Sequence, residues 1–151
     1  MSEVRRGIQL YTLRDFIKTA DSFDKTLYEL SQEGVSVIQI SAIGPIPQIR
    51  VKEITKKYNM DVCATHTGFD RMKAETLAVI EEHKLIGCDC IGLGSMPEKY
   101  RKKLSTVRKF IKEAEQVGKI CFENGCRFAY HNHDFEFKTV LEDGRTIMQV
   151  L

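Results

Sequence analysis

Residue types able to move a proton or ligate a metal crowd into one short stretch, Tyr130-His-Asn-His-Asp-Phe-Glu-Phe137, entered from the apolar segment that starts at Arg127. Histidine titrates near neutrality, and a neighbouring carboxylate can orient it, hold its proton or share a divalent cation with it. On a straight strand side chains alternate, which puts His131 and His133 on one face and Tyr130, Asn132, Asp134 and Glu136 on the other. They can converge on one ligand only if the strand ends or bends near Asp134. Further polar groups stand at the ends of other apolar runs: Gln9 with Tyr11 and Arg14, Gln39 with Ser41, and His66. Gln39 can hydrogen-bond a hydroxyl but cannot serve as an acid, a base or a strong metal ligand. Arg14 and Asp15 are placed to form an ion pair beside the first loop. His83, in a Lys/Glu-rich helical segment, is assigned to a solvent face, as is the basic run Lys99, Arg101, Lys102 and Lys103.

The elements that must position these groups are read from periodicity. Gly7–Leu13 is a strand candidate, and a helix capped by Asp21 or Ser22 follows, with Phe23, Leu27 and Leu30 at helical spacing and a stop at Gly34. The β-branched run Val35–Ile40 is a second strand. Ser41–Pro47 is a loop, because Gly44-Pro45 and Pro47 discourage helix before about Gln48; Val51, Ile54 and Tyr58 then form a helical stripe. Met60–His66 is the third strand and residues 67–74 a loop. Leu77, Ile80 and Leu85 mark the apolar side of a helix ended by Gly87, and Cys88–Gly94 is the fourth strand. A longer helix carries Val107, Phe110, Ile111, Ala114 and Val117 to a stop at Asn124-Gly125, and the fifth strand begins near Arg127. Leu141–Arg145 reads as a turn and Thr146–Leu151 as the start of another helix.

The 151 residues are 42% hydrophobic and 29% charged, which is ordinary globular material, enough for one domain. With 23 basic against 21 acidic side chains there is no broad field to recruit nucleic acid or an anionic membrane. No apolar run is long enough to cross a bilayer, and Met1–Gly7 reaches a strand too soon for a signal peptide, so a cytoplasmic location is expected. Cysteines 63, 88, 90, 121 and 126 are odd in number and lack a second pair at zinc spacing, so free thiols that pack as small hydrophobes are expected.

Helix-then-strand units repeated in this way are the cadence of parallel β-α-β connections. Two architectures share it. An open doubly wound sheet suits the length, whereas a closed eight-stranded barrel needs about 250 residues. No Gly-rich phosphate loop follows the first strand, however, and polar groups scattered over several strand ends suit a barrel mouth better than a dinucleotide crevice.

Taken together, Gly7-Ile-Gln-Leu-Tyr-Thr-Leu-Arg-Asp15, Gly34-Val-Ser-Val-Ile-Gln-Ile40, Asp61-Val-Cys-Ala-Thr-His66 and Tyr130–Phe137 resemble the sugar phosphate isomerase/epimerase family, the xylose isomerase-like barrels related to endonuclease IV. The resemblance runs in order over essentially the whole chain. It implies a (β/α)8 barrel with a divalent metal (Mn, Mg, Co or Zn) at the mouth, isomerising or epimerising a keto-sugar or polyol by proton transfer beside a carbonyl. It further implies that Glu136 is the metal-binding and catalytic glutamate near the fifth strand. His131, His133 and His66 are then substrate-side histidines, joined in substrate binding by Tyr11 and Gln39. Gln39 stands where a glutamate is often found. The family's remaining ligands, an Asp, a His and a Glu, come from strands six to eight. The expectation is therefore a TIM-barrel portion truncated after about five strands, residues 1–151 forming one partial domain. Its ligand would be a sugar-like small molecule, with neither nucleic acid nor membrane as partner, and its open sheet edges would allow self-association or a partner half. The multi-metal abasic-site chemistry of endonuclease IV finds no support in the near-neutral charge.

Overall fold

In a computed structural model, residues 5–151 are described. Met1–Val4, and with them most of the stretch judged too short for a signal peptide, lie outside the described residues. Five strands, β1 (Arg6–Gln9), β2 (Val35–Ile40), β3 (Asp61–His66), β4 (Cys90–Leu93) and β5 (Arg127–Tyr130), form one parallel sheet in the order β1-β2-β3-β4-β5. Sequential order is what right-handed β-α-β units produce when each new strand is added beside the last, as in a barrel wall. A doubly wound sheet would instead reverse direction at a switch point. Seven helices accompany the strands: α1 (Ala20–Gln32), α2 (Gln48–Lys57), α3 (Phe69–Ala74), α4 (Thr76–Leu85), α5 (Leu104–Glu123), α6 (Phe135–Lys138) and α7 (Ile147–Val150). None of the described helices is long and apolar enough to cross a membrane.

The chain divides into two compact units, residues 1–66 with 81–91, and residues 67–80 with 92–151. The first unit buries Leu10, Ile17, Phe23, Leu27, Ile38, Val51, Ile54 and Val62 in one cluster. Helix α1 starts at Ala20, earlier than a cap at Asp21 or Ser22 would allow. Thr19, not Asp21 or Ser22, is the cap, and it forms a reciprocal box with Ser22. The helix ends where expected: Gly34 takes a left-handed φ of 76°, which a side chain would oppose, and its N–H donates to the Ser31 carbonyl. Gly44 is needed for a different reason. Its N–H donates to the Ile17 carbonyl, and a Cβ there would lie 1.8 Å from the Lys18 carbonyl oxygen.

Three expectations from periodicity are corrected in this unit and in α4. The first strand stops at Gln9, and Leu10–Phe16 is a 3-10 helix. The Thr12 hydroxyl donates to the Gln9 carbonyl and Arg14 Nη1 to the Tyr11 carbonyl, so side chains supply the bonds that a longer strand would have drawn from a neighbour. Arg14 does not pair with Asp15; its guanidinium lies 4.7 Å from the Tyr11 ring centroid. In α4 the buried positions are Val79, Ile80 and His83, while Leu77 is 61% exposed and Leu85 is exposed too. His83 is thus a core histidine, 4% exposed, with Nε2 2.6 Å from the hydroxyl of buried Thr65.

The second unit contains a helix in the segment read as the loop 67–74, α3, whose Phe69 and Met72 are buried. Phe69, Tyr100 and Phe110 meet as an aromatic trio with centroids 4.9 to 6.0 Å apart. Above it Lys73 Nζ and the Tyr100 hydroxyl both donate to Glu113 Oε2, at 2.7 and 2.6 Å, holding that carboxyl below the usual range. Helix α5 runs through Gly118 and stops at Asn124-Gly125, and α7 falls within the helix start expected over 146–151, with Thr146 as its cap. The cysteines are free; Cys63 is exposed, Cys90 half-buried, and Cys88, Cys121 and Cys126 are buried.

Candidate functional site

In the first unit a histidine cradle forms at the carboxyl ends of β2 and β3. The register pairs Gln9 with Gln39 and Gln39 with Ala64. Between Ile38 and Gln39 it shifts by one residue, so that Cys63 is the extra residue on β3. The shift reverses the facing of everything after it. Thr65 joins Val62 on the buried side, where it meets His83, and His66 turns to the side of Gln39 and Ser41. There the imidazole is gripped at both nitrogens: Nε2 is 2.8 Å from Gln39 Nε2, and Nδ1 is 2.7 Å from Ser41 Oγ. An amide NH2 can only donate, so with Gln39 so oriented His66 Nε2 accepts and Nδ1–H donates to Ser41. With the amide turned the other way the two roles exchange, and in either orientation both ring nitrogens have a partner. Gln39 and His66, singled out from sequence, are brought into direct contact. Ser41, a strand-end polar group in the sequence with no role of its own there, is buried and is the ring's second partner. Tyr11 is not part of this contact: it lies in the 3-10 helix, 51% exposed, under the Arg14 guanidinium.

In the second unit β5 ends at Tyr130, earlier than Asp134, and the chain bends before α6. His131 and His133 stay neighbours, with ring centroids 4.9 Å apart, and both are exposed. Glu136 goes elsewhere. It sits in the first turn of α6 and is 0% exposed. One carboxylate oxygen accepts the hydroxyl proton of Tyr130 in a short contact, and the other accepts the backbone N–H of His133 at 2.8 Å. Burial, and then the bond to Glu136, push the Tyr130 hydroxyl well above the ordinary tyrosine range, since ionising it would place a second negative charge beside the carboxylate. Tyr130 was read as facing the same way as Glu136 but not as its partner. No spacing rule announces a bond across a strand end and a helix turn. Asp134 is exposed and pairs with Lys138 at 2.7 Å, an i,i+4 contact of small energetic weight.

The divalent metal implied by the resemblance can be tested against these donors. Both oxygens of Glu136 carry internal donors, and among the described residues no three His, Cys, Asp or Glu side chains converge as a set. Among the described residues, the donors do not by themselves fit such a metal.

A five-stranded sequential parallel sheet with its polar groups at strand carboxyl ends is the architecture of part of a TIM barrel, and solved structures share this fold. A sugar phosphate isomerase/epimerase from Parabacteroides distasonis superposes with a TM-score of 0.83 at 16% identity, over 99% of this chain and 63% of that one. A xylose isomerase domain containing protein from Salmonella typhimurium gives 0.60 at 8% identity, over 82% of this chain and 47% of that one. An AP endonuclease, family 2 from Brucella melitensis gives 0.61 at 8% identity, over 84% and 55%. The chain thus spans less than two thirds of the length of each, and at these identities the likeness is one of fold. No protein-family model and no curated protein sequence matches the chain.

Proposed function

We propose that this chain is the sugar-binding portion of an isomerase or epimerase that moves a proton beside the carbonyl of a keto-sugar or a related polyol. The observation that carries the reading is the His66 cradle: an imidazole held at both nitrogens by Gln39 and Ser41 at strand carboxyl ends, where barrels bind their ligands. A substrate hydroxyl takes the place of the Gln39 amide on Nε2, exchanging one hydrogen bond for another. The second unit carries exposed hydrogen-bonding groups of its own, His131 and His133. Glu136 enters the chemistry only by a change of partner, because Tyr130 must release one oxygen before that carboxylate can accept a proton from substrate carbon.

The test is a binding screen of ketopentoses, ketohexoses, their phosphates and polyols by calorimetry. Proton NMR in deuterium oxide then reads exchange at the carbon next to the carbonyl. Binding of at least one keto-sugar or polyol by the wild-type chain is expected, weakened about tenfold in His66→Ala through loss of a half-buried hydrogen-bonding group. A chain that binds no member of the panel would sink the reading.

A second reading, an assembly module, is favoured by one feature of the second unit. An apolar cavity of about 630 Å³ is walled by Phe110, Ile111, Phe122, Phe128 and Leu151, with Phe122 81% exposed at its edge. Exposed apolar surface of this kind suits a second copy of the chain. Light scattering after size exclusion separates the cases. A concentration-dependent dimer abolished by Phe122→Ser supports assembly; a monomer at every concentration removes it.

A further inference from the structure

Arg101 belongs to the basic run 99–103, read from sequence as a wet face, yet its side chain is not spread in solvent. Lys102 and Lys103 are exposed and Lys99 finds a carboxylate, Asp70, at 2.8 Å. Arg101 is half-buried and fixed on three sides. Its Nε donates to the Met96 carbonyl at 2.7 Å, its Nη2 donates to Ser95 Oγ at 3.0 Å, and the guanidinium lies 3.8 Å from the centroid of the Phe135 ring. All three partners are uncharged. Among the described residues no carboxylate lies within ion-pair distance of it and no acceptor meets Nη1. A permanently charged group held rigidly in a partly desolvated place, with neutral acceptors only, is costly unless a counter-ion arrives from outside. Its field is already felt by the Tyr130 hydroxyl, where it opposes the upward push from burial and Glu136.

Phe135 links that guanidinium to the histidines of the opening motif. Phe135, on which Arg101 lies, stacks with the His133 ring at 6.0 Å and 17°, and His133 meets His131 at 4.9 Å. The contact sequence Arg101–Phe135–His133–His131 joins the unused guanidinium edge to two exposed imidazoles. A neutral imidazole presents one N–H donor, so this array can meet an oxyanion without any histidine being charged. We propose that Arg101, with His133 and His131, forms a subsite for an oxyanion, a phosphate ester or a carboxylate, carried by a small ligand. The guanidinium is planar and forked, the geometry that suits bidentate contact with either group. That this oxyanion belongs to the sugar substrate rests on the function proposed above; the subsite itself does not.

The experiment separates the two. Calorimetric titration of the 151-residue chain with inorganic phosphate, and with gluconate as a carboxylate probe, reads the subsite without any reaction. Histidine ring resonances followed by NMR in the same titration locate it. Expected are millimolar binding that weakens as salt is raised, and shifts of the His131 and His133 resonances larger than that of His66. Arg101→Gln should weaken binding about tenfold, with Arg101→Lys between the two because charge survives and the fork is lost. Binding by phosphate alone assigns the subsite to a phosphate ester, and by gluconate alone to a carboxylate. Failure of the wild-type chain to bind either probe overturns the proposal, as does an Arg101→Gln chain that binds as well as wild type. Should Arg101→Gln fail to fold, the wild-type histidine shifts decide: larger movement at His66 than at His131 and His133 refutes the assignment. Keto-sugar binding lost in His66→Ala with phosphate binding intact would show that the two proposals stand or fall separately.

Discussion

At the scale of single residues, the most consequential contacts are two polar pairs that meet across elements. Thr65 and His83 form one such pair, so Thr65→Val, which keeps shape and removes the hydroxyl, should destabilise the chain by about 1–3 kcal/mol in urea unfolding. Tyr130 and Glu136 form the other. Tyr130→Phe leaves a buried carboxylate oxygen without its donor and should cost a similar amount, about 1–3 kcal/mol. The pair also has a pH signature with a definite sign. Folding raises the Tyr130 pKa above its ordinary 10.0, so the folded chain holds that proton more tightly than the unfolded one. The contribution is complete below pH 10 and is lost as pH rises beyond it. An alkaline absorbance titration should therefore show one of the five tyrosines ionising only at higher pH than the rest, and that late step should be missing in Tyr130→Phe.

At the scale of elements, local chemistry explains most boundaries, and the exceptions are instructive. Thr19→Ala removes the reciprocal cap of α1 and should lower stability by about 1 kcal/mol, read as a lower melting temperature. Gly44→Ala drives a methyl group into the Lys18 carbonyl. The backbone has to shift, so a loss of about 1–3 kcal/mol or more is expected from the same measurement, larger than for the cap. Strand and helix stops at Gly34, Pro47 and Gly125 were legible because they depend on the backbone freedom of single residues. The short first strand was not, since Ile8-Gln-Leu-Tyr-Thr-Leu alternates acceptably; the turn is held by Thr12 and Arg14 bonds and by Leu10 buried beneath it. The facing of α4 was misread because Leu77 and Leu85 look like core, and the position that is buried carries histidine.

At the scale of the whole molecule, the chain shares its fold with proteins it covers only in part, and among the described residues no metal-donor set assembles. Elemental analysis of the purified chain, dialysed against buffer containing manganese or zinc, should find well below one equivalent retained. Tight stoichiometric retention together with keto-sugar turnover would show that Glu136 exchanges partners more readily than its buried geometry suggests. The apolar wall around Phe122 makes self-association the property to measure first, because a dimer would cover surface that solvent now meets.

What sequence alone determined is the cadence of parallel strands and helices, the placing of polar groups at strand ends, and the clustering of His131, His133 and Glu136 in one motif. These depend on periods of two and 3.6 residues and on glycine and proline, which act within a few residues of themselves. What the tertiary structure decided is which of those groups meet. One extra residue at Cys63 turns His66 toward Gln39 and Ser41 and sends Thr65 to His83. The early end of β5 hands Glu136 to Tyr130, and Phe135 captures Arg101 out of a basic run. Each is a contact between residues far apart in the chain or across a change of element, where register and burial, not local preference, choose the partner.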